Sequence, residues 1–242
     1  YQTSSVYAGN PYFIDLKKLV REGLLEDKNI SFKAKRHSKV DYKSLFYDKH
    51  KILYKAYLKR SLVQPHFESF KKTQHSWIND FAIFHSLKEH FDHKAWFQWP
   101  KPFKTRQKEA MKQFIKTHQE RIDYYMFTQS VFFKQWFALK QYANDLKVYI
   151  IGDIPIYVAY DSVEVWKEPH LFQLDDNLNT EYIAGCPPDE FATQGQRWGN
   201  PLYQWDSIAK NDYNWWIKRI EFANNLYDRV RIDHFRGFSK YY

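Results

Sequence analysis

Tyr227-Asp-Arg-Val-Arg-Ile-Asp-His-Phe-Arg-Gly-Phe238 is the stretch that decides how the rest of the chain is read. Val230 and Ile232 alternate with Arg231 and Asp233. In an extended strand neighbours face opposite ways and every second residue shares a face. The pattern therefore predicts a strand with Val230 and Ile232 packing outward and Arg231 and Asp233 together on the other side. In a βα barrel that other side is the interior, where two charges are costly unless paired or used. Gly237 lets the chain turn, and a carboxylate at the C-terminal end of a barrel strand is where such folds keep their chemistry. The competing reading is a surface edge strand in which Arg231 and Asp233 form a weak ion pair.

A second stretch on the same plan argues against the surface reading: Lys147-Val-Tyr-Ile-Ile-Gly-Asp-Ile-Pro-Ile-Tyr-Val158. Its run from Val148 to Ile151 is continuously apolar, as expected of a strand buried on both faces. Pro155 has no N–H to give a sheet, so the regular strand is expected to have ended by there, with Asp153 at its C-terminal end. Asp153 and Asp233 lie 80 residues apart, room for one βα repeat with a long inserted loop.

The chain of 242 residues suffices for one large domain or two small ones. Its 44% apolar and 20% aromatic content supports a sizeable core and argues against disorder. Nine Trp, 19 Tyr and 20 Phe exceed what a core needs. The surplus suits either a sugar cleft, where pyranose faces pack on rings, or a core that favours aromatics. The net charge of +9 permits nucleic acid, an acidic membrane surface, or solubility alone. The densest basic run, Lys33-Ala-Lys-Arg-His-Ser-Lys39, lacks interleaved rings and reads as a solvated linker, so no nucleic-acid partner is expected. No segment reaches the roughly 18 apolar residues of a membrane span and no signal peptide opens the chain, so no membrane association is expected. A lone Cys186 allows no internal disulfide, in keeping with a reducing cytoplasm.

From the N-terminus, residues 1–10 read as a loop, and a short helix is predicted to end at Gly23. Residues 26–40 read as a linker. Asp41 is a candidate N-cap for a long amphipathic helix that Pro65 ends. Another helix covers about 76–91, and a helical run from Thr105 to Asp145 divides into two. Residues 1–40 thus form an N-terminal loop and short helix of the barrel domain, 41–145 a mostly helical subdomain, and 146–242 a barrel segment. Within that segment residues 184–203 hold three prolines and three glycines with no period, which reads as a long functional loop. Residues 206–226 then read as one helix.

These segments carry a family resemblance. Gly152-Asp-Ile-Pro-Ile-Tyr-Val-Ala-Tyr-Asp-Ser162, Ala184-Gly-Cys-Pro-Pro-Asp-Glu-Phe191, Gly195-Gln-Arg-Trp-Gly-Asn-Pro-Leu-Tyr203 and Val230-Arg-Ile-Asp-His-Phe-Arg-Gly-Phe238 follow one another in the order of a known pattern. With the opening Tyr1-Gln-Thr-Ser4 and Ala8-Gly-Asn-Pro-Tyr-Phe-Ile-Asp-Leu16, the chain resembles the 4-α-glucanotransferases of the amylomaltase or disproportionating-enzyme family, glycoside hydrolase family 77. The resemblance implies an α/β fold: part of a (β/α)8 TIM barrel with an inserted or packed helical subdomain. It implies transfer of α-1,4-glucan segments between maltooligosaccharides, with no cofactor and no metal, in the cytoplasm. Its matched positions make Asp233 the catalytic nucleophile and Arg231 the residue that keeps it ionised and aimed. Asp153 and His234 would hydrogen-bond sugar hydroxyls, Tyr1 would stack on the sugar, and Trp198 would line the cleft from the 184–203 loop. Retaining chemistry needs two carboxyl groups about 5 Å apart. The family takes its acid/base Glu and a third Asp from strands after that of Asp233, so the chain is expected to be an internal piece of about half the enzyme, without those two residues and inactive alone.

Two rival functions stand beside this one. An α-amylase-type hydrolase shares the chemistry and differs in whether water or a sugar reaches the covalent intermediate. A non-catalytic glycan-binding fragment would keep the cleft alone. His85, His90 and His93 lack an HExxH arrangement and do not suggest a metal site. Neither preferred glucan length nor oligomeric state is legible.

Overall fold

A computed structural model describes residues 2–30, 39–190 and 192–239. In chain order the helices begin with α1 (Leu16–Arg21), α2 (Tyr42–Leu58), α3 (Gln64–Thr73) and α4 (His75–His90). Next come α5 (Lys101–Lys104), α6 (Lys108–Thr117) and α7 (Gln119–Asp145). Strand β1 (Ile151–Pro155) follows, then α8 (Val163–Lys167), β2 (Ile183–Cys186) and β3 (Gln196–Pro201). The chain continues with α9 (Trp205–Ala209), α10 (Asn214–Leu226) and β4 (Arg229–Asp233). The class is α/β.

The chain divides into two compact units. One comprises Ala8–Ser86 and Thr117–Leu139 and is helical. Asp41 caps α2 as expected, its carboxylate accepting from the Ser44 amide at 3.1 Å. Pro65 departs from expectation. α2 has already ended at Leu58, and Pro65 stands in the first turn of α3, where its missing N–H costs nothing. Much of the aromatic surplus is core in this unit. Tyr57 and Phe67 both pack edge-on against Phe127 at 5.8 Å, and Phe70 stacks on Phe133 at 5.8 Å. Of the candidate linker 26–40, residues 31–38 lie outside the described residues.

The other unit comprises Tyr1–Tyr7, Leu87–Lys116 and Lys140–Tyr242. It contains a parallel pair, β1 with β4, and an antiparallel pair, β2 with β3. In the parallel pair Asp153 faces Arg231 and Pro155 faces Asp233. Gly152 and Ile154 are buried while Ile151 and Asp153 are exposed, so one face of β1 is covered.

Three expectations for this unit are corrected. The first concerns the apolar run 148–151, which is not a strand buried on both faces. Val148, Tyr149 and Ile151 are exposed, and β1 starts only at Ile151 and runs through Pro155, leaving Asp153 at its centre. The reason lies in the turn that closes α7. Val148 donates to the Ala143 carbonyl at 2.9 Å, and Asn144 Nδ2 donates to the Val148 carbonyl at 3.1 Å, so these groups are not available to a sheet.

The second concerns residues 184–203, which hold the β2–β3 hairpin and are not without regular structure. The glycines that read as loop permit the pairing. A side chain at Gly185 would lie 2.3 Å from the Gln196 carbonyl oxygen, and Gly195 has φ +71°. The third concerns 206–226, which is two helices. Asp212 (φ 49°) and Tyr213 (φ 56°) adopt the left-handed conformation and separate α9 from α10.

Candidate active site

The charged alternation of β4 meets that of β1 directly. Because Asp153 and Arg231 are register partners, their side chains leave the pair on the same face. Arg231 Nε donates to Asp153 Oδ1 at 2.9 Å and Nη2 donates to Oδ2 at 2.9 Å, a two-pronged fit. The same Nη2 donates to Asp233 Oδ1 at 3.1 Å. The expected cost of sending charges to one face is therefore met by pairing. Nor is the face dry: the side chains of Arg231, Asp153 and Asp233 are 60%, 36% and 43% exposed. At that exposure the pairs fix geometry more than they stabilise the fold.

Immediately after Asp233 the backbone turns. His234 is left-handed, at φ 53° and ψ 46°, an uncommon state for a residue other than glycine. It opens the short turn Phe235–Phe238, and Gly237 donates to the His234 carbonyl at 2.9 Å. The turn sets the imidazole edge-on to Trp198 from β3, with ring centroids 4.9 Å apart and planes at 88°. Tyr157 stands behind both rings, 6.2 Å from Trp198 and 6.4 Å from His234.

Trp198, Asp233 and His234 line one cavity of about 300 Å³ together with Gln2, Gln196, Asn200 and residues 155–157. Of the residues singled out in the sequence, these three come together in the cavity. Asp153 and Arg231 join them through the ion pairs, and Tyr1 lies outside the described residues. Sequence reasoning did not select Gln2, Tyr157, Gln196 or Asn200. All four sit inside the quoted motifs, which was the available signal; Gln2 comes from far along the chain, and its Nε2 donates to the Trp198 carbonyl at 3.4 Å.

The cavity wall is held from behind. Arg219 of α10 is buried and donates through Nη1 to the Ile156 carbonyl at 2.9 Å and through Nη2 to the Pro155 carbonyl. Tyr203 Oη also donates to the Ile156 carbonyl, at 2.7 Å, and burial pushes the Tyr203 phenol above its ordinary range. Asn200 Nδ2 donates to the Val158 carbonyl at 2.7 Å. A carboxylate, an imidazole and an indole thus meet in a pocket whose backbone is tied down, an arrangement suited to binding a polar ligand with apolar faces. Among the described residues no group of three or more His, Cys, Asp or Glu side chains is placed to hold a metal ion, and no helix is long and apolar enough to cross a membrane.

Comparison with known proteins adds the lineage. The 4-alpha-glucanotransferase of Streptococcus pneumoniae (strain TIGR4) is 44% identical over the whole of this chain and 49% of its own length. That of Clostridium butyricum is 41% identical, again over all of this chain and 50% of the relative. The chain therefore spans about half the length of the curated relatives it matches. Among solved structures, the amylomaltase from Streptococcus agalactiae in complex with acarbose superposes with a TM-score of 0.92 at 43% identity, covering 100% of this chain and 50% of that one. The amylomaltase from Corynebacterium glutamicum, at 18% identity and a TM-score of 0.74, shares the fold. The family described as 4-alpha-glucanotransferase, glycoside hydrolase family 77, matches residues 1–242, and the chain belongs to that family.

Proposed function

We propose that this chain carries the nucleophile side of a 4-α-glucanotransferase that moves α-1,4-glucan segments between maltooligosaccharides by retaining double displacement. Its strands would form part of a (β/α)8 barrel, and the enzyme would work in the cytoplasm without a cofactor. The observation that carries the reading is Asp233. Its carboxylate lies in the Trp198–His234 cavity and is held by Arg231, itself fixed by two bonds to Asp153.

In this mechanism Asp233 attacks the anomeric carbon, the glycosidic C–O bond breaks, and the departing oxygen takes a proton from a general acid. The resulting glycosyl ester is then opened by the hydroxyl of an acceptor sugar, whose proton returns to the same group. Arg231 fixes the direction of the Asp233 carboxylate through its 3.1 Å bond to Oδ1. His234 and Asp153 would bind hydroxyls of the sugar at the cleavage point, Trp198 would cover one of its faces, and Tyr1 would stack on it. The family pattern takes its acid/base Glu and third Asp from later strands, and no carboxylate of this chain is assigned those roles. The acarbose complex of the Streptococcus agalactiae relative supports a sugar as the ligand class.

The test is product analysis on maltotriose with the full-length protein. Glucose together with chains longer than the substrate is the expected result, whereas shorter products alone would mean hydrolysis. Asp233→Asn is expected to abolish transfer while leaving acarbose binding measurable. Undiminished transfer in that variant would remove Asp233 from the nucleophile's role.

A further inference from the structure

Residues 2–7 have neither helix nor strand of their own, yet they are fixed at α8 by a compact set of bonds. The Ser4 carbonyl accepts from the Val163 amide at 2.9 Å. Ser5 Oγ donates to Glu164 Oε1 at 2.7 Å, and the Val6 amide donates to the same oxygen at 3.1 Å. Ser5 Oγ in turn accepts from the Tyr7 amide at 3.2 Å. Tyr7 sets its ring edge-on to Phe222 at 5.0 Å. At its other end the segment delivers Gln2 to the cavity wall, where it meets the Trp198 carbonyl. Only two residues separate that contact from the Ser5 anchor, so the position of the anchor sets the position of Gln2.

We propose that Glu164 is a positioning residue, a buried carboxyl that anchors the strap 2–7 and so holds Gln2 at the wall of the ligand cavity. Glu164 itself lines no part of the cavity. One of its oxygens takes both strap bonds, while Oε2 is buried with no hydrogen-bond partner among the described residues. An ionised carboxylate with a bare buried oxygen is costly, and a neutral acid is less so. Burial pushes the Glu164 carboxyl above the usual carboxylate range, against the lowering effect of the Ser5 and Val6 bonds and of Arg219. What the strap needs is an acceptor oxygen at Oε1, and a neutral amide supplies one. The identity of the ligand rests on the glucan reading above; the anchoring does not.

The experiment compares Glu164→Gln, Glu164→Ala, Ser5→Ala and Gln2→Ala in the full-length protein. Amide hydrogen exchange is read without ligand, and acarbose affinity by calorimetry. Glu164→Gln is expected to keep slow exchange at the Val6 and Val163 amides and affinity within about twofold of the parent. Glu164→Ala is expected to speed exchange at both amides by about tenfold or more, with β4 unchanged, and to weaken acarbose by about tenfold. Gln2→Ala should weaken acarbose while exchange at Val6 stays slow. Ser5→Ala, which leaves α8 untouched, should speed exchange at Val6 and Tyr7 and so decides the anchor if Glu164→Ala proves globally unfolded. Parent-like protection of the strap in both Glu164→Ala and Ser5→Ala would overturn the anchor. A loosened strap with unchanged acarbose affinity would overturn the positioning. If the parent chain fails to take acarbose, the glucan reading fails, and the exchange data alone still decide the anchor.

Discussion

Arg231 grips Asp153 with two parallel bonds of 2.9 Å and spends one of the same nitrogens on Asp233 at 3.1 Å. The planar guanidinium can serve both carboxylates because its donors lie in a fixed fork; an ammonium is a single point with freely rotating donors. Arg231→Lys should therefore keep the charge and lose the aim. Because all three side chains are well exposed, the midpoint of thermal unfolding should move by no more than about 1 kcal/mol in stability. Transfer from maltotriose should nonetheless fall about 100-fold in the full-length protein, since small misplacement of a reacting group is expensive. Comparable losses in stability and transfer would make the triad structural.

Gly152 stands beside Asp153 in β1, and the backbone there passes very close to Tyr227. A Cβ at position 152 would lie 2.0–2.4 Å from atoms of the Tyr227 ring. Tyr227 is half-buried just before β4, so its ring cannot simply swing away. Gly152→Ala is expected to cost about 1–3 kcal/mol by overpacking. Adding Tyr227→Ala should return part of that loss, and the non-additivity of a double-mutant cycle in urea would measure it. Additive effects would mean that the ring moves freely.

The β4 stretch around Asp233 was legible because its signal is local. Two charged residues at a spacing of two, alternating with two β-branched residues, point to both the strand and the shared face of Arg231 and Asp233. The hairpin of β2 and β3 was not legible. Its glycines and prolines read as loop signals, and only the approach of Gly185 to the Gln196 backbone reveals that they serve pairing. The apolar run 148–151 misled for the opposite reason. It has the composition of a strand, but the groups that would pair are taken by the turn after α7. Contacts such as Gln2 with Trp198, or Ser5 with Glu164, join residues far apart in the chain and leave no periodic trace.

Asp228 is expected to make the stability of the fold around β1 and β4 depend on pH. Its Oδ2 accepts from the Ile150 amide at 2.8 Å and from Asn144 Nδ2 at 2.9 Å, and Lys140 Nζ lies 3.6 Å from Oδ1. The Ile150 bond above all, with the Asn144 and Lys140 contacts, holds the Asp228 carboxyl below its usual range. A carboxyl that is more acidic when folded stabilises the fold above its unfolded pKa of about 3.9, and that stability is lost as pH falls through the depressed folded value. Asp228→Asn should consequently unfold at lower temperature than the parent at pH 7, and the gap should close below about pH 4. Melting curves from pH 7 downward for the two proteins check this; a gap that stays constant would assign the effect to shape.

Arg219 offers the sharpest test of how the cavity wall is held. It is buried, lies 4.7 Å over the Trp216 ring, and gives its donors to the Pro155 and Ile156 carbonyls and to Tyr203 Oη. Among the described residues no carboxylate hydrogen-bonds it, and its charge faces backbone dipoles and indole rings. Arg219→Met fills much of the same volume and leaves the Pro155 carbonyl without that donor, while Ile156 keeps the bond from Tyr203. A buried acceptor stripped of its partner costs about 1–3 kcal/mol, and loss of the second carbonyl bond adds to this, for about 3 kcal/mol in all. Arg219→Lys should recover part of the loss, because an ammonium reaches one carbonyl and does not span two. Urea unfolding of the three proteins reads the stability. Acarbose binding under native conditions reads the wall, since residues 155–157 line the cavity and should shift when their carbonyls are released. If Arg219→Met unfolds with the parent's midpoint and binds acarbose as tightly, the wall holds itself and the guanidinium is dispensable.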